Sequence, residues 1–65
     1  MNPEDRRLAE AVRAACLKAA REGYEQASAS GLCHEGAVEA SLGAVSMLDI
    51  NALLVELEQG KKPSS

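Results

Sequence analysis

The sequence predicts an all-α fold, an antiparallel two-helix hairpin, and three observations carry that prediction. Gly36, Ala40, Gly43, Met47, Ile50, Leu54 and Leu57 follow one another at alternating spacings of four and three, which keeps one stripe of a helix turned toward a partner helix. Upstream, Leu8, Ala9, Val12, Ala15, Cys16, Ala19, Ala20, Gly23 and Ala27 recur at helical period. Between the two segments stands Gly31, in a connection short enough to fold the second helix back beside the first.

The first helix is expected over about residues 3–30. Asn2 can cap the free backbone N–H groups, Pro3 suits the first helical position, and Glu4 and Asp5 suit the positive end of the helix dipole. Its polar face offers Arg6–Glu10, Lys18–Glu22 and Arg21–Glu25 at i,i+4, each pair worth a few tenths of a kcal/mol, roughly. Gly23 costs about 1 kcal/mol relative to Ala in a helix interior, yet it lies on the apolar face, as a close helix crossing would require. Tyr24, the single aromatic residue, is expected to cover the hairpin near the turn with its hydroxyl in water.

The turn is expected at 31–33. Gly31 suits the left-handed position that follows a helix, and Leu32 the apolar contact that accompanies such a cap. The second helix then runs over about 34–59, with closest approach to its partner near Gly36, where the seam is smallest. Gly60 supplies a stop signal, Pro63 prevents continuation, and residues 61–65 form a frayed tail. Ser46-Met47-Leu48-Asp49 also reads as a capping box opening a third helix, but the seam crosses it unbroken and favours a single helix. Both helices are then about 40 Å long at 1.5 Å per residue.

The second helix carries a surplus of apolar surface. Val38, Leu42 and Val45 lie roughly opposite the seam, and one hairpin can cover only one of the two stripes. Burying three or four such side chains contributes roughly 5–10 kcal/mol before entropy is counted, comparable with the whole stability of a small domain. A chain of 65 residues without Trp or Phe builds only a modest core and leans on oligomerisation, disulfides or metal. The expected state is therefore a homodimeric four-helix bundle, with Val38, Leu42, Val45, Met47, Ile50, Leu54 and Leu57 at the interface.

Charge and composition narrow the function. Residues 33–59 carry Glu35, Glu39, Asp49, Glu56 and Glu58 but no Lys or Arg, a poor match to phosphate, so no nucleic-acid partner is expected. No apolar run approaches the roughly 20 residues of a membrane span, and the start of the chain does not read as a targeting segment; no membrane association and a cytoplasmic location are expected. No catalytic constellation or phosphate-binding loop is present and no cofactor is implied, so the chain does not read as an enzyme.

Cys33-His34-Glu35 is the one place where a thiol, an imidazole and a carboxylate stand together. It falls at a helix start, a setting that activates thiols in redox proteins. Two copies meeting at their turns would gather two Cys33 and two His34, enough ligands for tetrahedral zinc. Against this, Cys33 also serves as a small cap or apolar residue and His34 as an ordinary surface residue. Cys16 lies roughly 20 Å along the first helix from Cys33, too far for a disulfide, and reads as a core residue.

From Tyr24-Glu25-Gln26-Ala27 through Gly31-Leu32-Cys33-His34-Glu35-Gly36-Ala37-Val38-Glu39-Ala40 the chain resembles short bacterial helical proteins whose turn reads GLC-x-EGA followed by a residue and Glu. The resemblance covers the central third. It implies a bacterial cytoplasmic origin and transfers no catalytic residue, since that group has no established activity. The leading expectation is a non-enzymatic homodimeric module that binds or regulates an unidentified protein. The alternative is a metal-binding or thiol-redox protein using Cys33, His34 and Glu35.

Overall fold

The computed structural model describes residues 2–59, with side chains through Glu58. It is all-helical: α1 spans Pro3–Ala29, α2 His34–Ser46 and α3 Ile50–Gln59. The stop signal at Gly60 and the expected tail at 61–65 lie outside the described residues.

α1 begins as its sequence dictates. The Asn2 side-chain oxygen accepts hydrogen bonds from the backbone N–H groups of Glu4 at 3.0 Å and Asp5 at 3.1 Å, satisfying two of the donors that a helix start leaves free. Of the expected ion pairs only Lys18–Glu22 closes, at 3.8 Å; Glu10 pairs with Arg13 at 3.7 Å instead of with Arg6. All four side chains are more than half exposed, so solvent screening leaves these pairs little weight.

α1 ends in a left-handed cap. Gly31 has φ +97°, the Leu32 N–H donates to the Ala27 carbonyl at 3.0 Å, and the Gly31 N–H to the Ser28 carbonyl at 3.0 Å. Those two bonds, one spanning the other, define the Schellman arrangement and occupy carbonyls the helix end would otherwise strand. Leu32 is brought against the next helix: a Cβ on Gly36 would lie 3.2 Å from its Cδ2.

α2 packs on the C-terminal half of α1. The tightest contact is at Gly23, where a Cβ would come within 2.9 Å of Ala44 Cβ, 3.0 Å of the Ala40 carbonyl oxygen and 3.2 Å of Ser41 Cα. The closest crossing therefore falls there and not near Gly36. The contact thus takes Ala40 from the expected seam but adds Ser41 and Ala44 beside it, so it follows neither expected stripe along its length. Ala37, 1% exposed, and Ala27, 8%, are the only fully buried residues among those described. Only part of the seam makes the α1 contact: Ala40 does, while Gly43 has no neighbour within 4 Å of a would-be Cβ and Met47 is 83% exposed.

The expected single helix over 34–59 is broken. α2 stops at Ser46, α3 starts at Ile50 and the two bend by 54°. Polar side chains at the break take over the backbone groups. The Ser46 hydroxyl donates to the Gly43 carbonyl at 3.0 Å, and the Asp49 carboxylate accepts from the Ala52 N–H at 3.0 Å. Asp is a poor residue inside a helix and a favoured one at its start, so the cap at Asp49 outweighs continuity of the seam. Ser46, the N-cap residue of the capping box read from the sequence, instead bonds backward, and Asp49 takes the capping role. α3 leans over the N-terminal half of α1 but touches it far less than α2 does.

Candidate functional site

Two places invite a functional reading: the start of α2 and the surface along α2 and α3. At the first, Cys33 is the N-cap residue in extended backbone, φ −70° and ψ 172°, with no side-chain capping bond. Its thiol is free and exposed, so Cys33 is neither the side-chain cap nor the buried residue it was expected to be. Cys16 is also a free thiol and half-buried.

His34 is held from across the turn. Its Nδ1 lies 2.9 Å from the Tyr24 hydroxyl, and the rings meet edge-on with centroids 5.8 Å apart. Tyr24 thus spends its hydroxyl on His34 rather than on water alone. With Nδ1 engaged, Nε2 is the nitrogen left free for a ligand. No group of three or more His, Cys, Asp or Glu side chains among the described residues is placed to hold a metal ion. A tetrahedral site at Cys33 and His34 would need ligands from a second chain. The Tyr24–His34 pair escaped the sequence because the two lie ten residues apart; only the cap at Gly31 sets which α1 side chain faces the first turn of α2.

The second place is the apolar surface. Leu42 is 64% exposed and Met47 83%, with Ile50, Val55, Leu54 and Val38 each more than a third exposed. Val45 and Leu57, the other expected interface residues, are half-buried. Beneath this surface the bend leaves an open cleft of about 580 Å³ between α1 and α3. Ala11, Ala15 and Ala19 line one wall, and Leu48, Leu53 and Leu57 the other. A smaller groove of about 340 Å³ lies near Leu8, Leu54 and Leu57. Both are shallow apolar depressions edged by exposed charges, and neither gathers groups for acid–base or nucleophilic chemistry.

Among the described residues no single helix is long and apolar enough to cross a membrane; α2 and α3 reach that length and composition only as a bent pair. Compared with known proteins, the chain matches no family model, no curated protein and no solved structure.

Proposed function

We propose that this chain is a non-enzymatic interaction module, a helical hairpin that pairs with a second copy as a homodimeric four-helix bundle in the bacterial cytoplasm and binds or regulates another protein. One observation carries the reading. Among the described residues only two alanines are fully buried, while Val38, Leu42, Met47, Ile50, Leu54 and Val55 are each more than a third exposed. A domain needs several kcal/mol of net stability, and apolar burial is its main source, at roughly 25 cal/mol per Å². Two fully buried alanines with half-buried Val12, Val45, Leu48, Leu53 and Leu57 make a small core for that purpose. Half-exposed Leu, Ile, Val and Met side chains along one pair of helices are what a partner of the same kind would cover.

The acidic character of α2 and α3, with no Lys or Arg between residues 33 and 59, favours a protein surface over phosphate. In this reading Tyr24 and His34 brace the turn.

Sedimentation equilibrium on the full chain at micromolar concentration tests the reading. The expected result is a mass twice that of the chain and no added ligand mass in native mass spectrometry. A well-folded monomer at that concentration overturns it.

A further inference from the structure

We infer that the cleft between α1 and the bent α3 receives a basic amphipathic helix of another protein, its apolar face on the alanines of α1 and its cationic flank toward the acidic rim. The inference rests on the interaction-module reading and adds the chemistry of the partner; it stands apart from the homodimer.

α1 carries a ridge of small residues at steps of four: Ala11, Ala15, Ala19, Gly23 and Ala27. Rows of this spacing are the ridges on which helices pack at close range. In the C-terminal half the ridge is covered. α2 brings Ala40, Ser41 and Ala44 against Gly23, and Ala27 is buried. In the N-terminal half the same ridge opens into the cleft of about 580 Å³, where Ala11, Ala15 and Ala19 are half-buried opposite Leu48, Leu53 and Leu57. α3 touches α1 too little to close it. The chain thus builds one long surface for helix packing and covers only part of it.

The rim selects the occupant. Among the described residues, the charged side chains lining the cleft are Lys18, Glu22, Asp49 and Glu56. Lys18 is engaged by Glu22 at 3.8 Å, which leaves Asp49 and Glu56, neither of them paired with a described basic residue. The α3 wall brings charge of this one sign, since residues 33–59 hold no Lys or Arg. A second copy gains no charge attraction here: its own α2 and α3 are equally acidic, and residues 1–29 balance five basic against five acidic side chains. A phosphate-bearing ligand is repelled. A helix with apolar side chains on one face and Lys or Arg beside them satisfies both ridge and rim. That is the mode in which a groove takes an amphipathic helix, with the rim charges setting orientation and salt dependence. Leu57 is the one cleft residue shared with the proposed dimer contact.

Fluorescence anisotropy tests this, using the full chain and a labelled peptide of about 14 residues with leucine at helical spacing and lysine elsewhere. Binding is expected with a dissociation constant in the tens of micromolar or below, weakening with added salt. The same peptide with glutamate for lysine should not bind. Glu56→Lys should weaken binding of the basic peptide about fivefold or more. Glu39→Lys makes the same charge change on α2, outside the cleft, and should stay within about twofold. Ala15→Leu fills the floor of the cleft with a good helix former and should weaken binding about tenfold. No binding of the basic peptide, equal losses for Glu56→Lys and Glu39→Lys, or unchanged binding by Ala15→Leu overturns the inference. Sedimentation of the chain alone reports the homodimer separately. A dimer that ignores the peptide overturns only the cleft, and a monomer that binds it overturns only the dimer.

Discussion

Gly23 and Gly31 are glycines for different reasons, and the difference is measurable. At Gly23 the constraint is space: two of the three atoms nearest a would-be Cβ belong to the backbone of Ala40 and Ser41 and cannot rotate aside. Gly23→Ala gains about 1 kcal/mol of helix propensity but overpacks the crossing at a cost of about 1–3 kcal/mol. A net loss of about 1 kcal/mol is expected in urea unfolding, and a raised midpoint would show that the helices part freely. At Gly31 nothing lies within 4 Å of a would-be Cβ, so the constraint is φ alone. Gly31→Ala is expected to cost about 1–2 kcal/mol and Gly31→Asn clearly less, since Asn tolerates the left-handed region. Equal losses for the two would point to an unrecognised contact instead.

At the scale of the element, the caps were legible and the break was not. Asn2, Gly31 and Leu32 act as local chemistry predicts, because each satisfies backbone groups within a few residues of itself. Asp49 presented two competing local signals, a capping residue and a position beside an apolar seam. The cap prevails in the single chain because bending carries Leu48 and Leu53 toward the alanines of α1, a gain in burial invisible in the spacing. α3 nonetheless remains the least anchored helix, and elements with few buried contacts open at low free energy. Hydrogen exchange should therefore show protection across α3 rising with protein concentration, while amides near Ala27 and Ala37 change least. Concentration-independent protection in α3 would argue that no second copy covers it.

For the whole molecule the question is what covers the apolar surface. Leu42 and Leu17 are both more than half exposed, but only Leu42 lies among the residues assigned to the dimer contact. Either change to Glu should leave the stability of the single chain within about 0.5 kcal/mol, as for ordinary surface positions. Leu42→Glu should raise the dimer dissociation constant at least tenfold, because it forces a charge into a desolvated contact, whereas Leu17→Glu should leave it unchanged. Analytical ultracentrifugation of both variants checks this. Equal effects would move the contact to another face.

The candidate site divides along the same line. Cys33-His34-Glu35 was legible as a cluster because its members are adjacent, but not the bond from Tyr24 that orients His34. Val38, Leu42, Met47, Ile50 and Leu54 were legible as surplus apolar residues, and each remains more than a third exposed. Ala37 was missed as the most buried residue, since it belongs to neither stripe and alanine announces no burial by its size.

What residues 2–59 determine by themselves is helix content, the cap at each end of α1 and the need for a close crossing at Gly23. All of these follow from backbone groups and spacings that interact within a few residues. What tertiary structure decided is the face of α2 turned to α1, the pairing of Tyr24 with His34, and the bend at Asp49. Each depends on burial between segments distant in the chain, where free energies of a few kcal/mol outweigh a local preference.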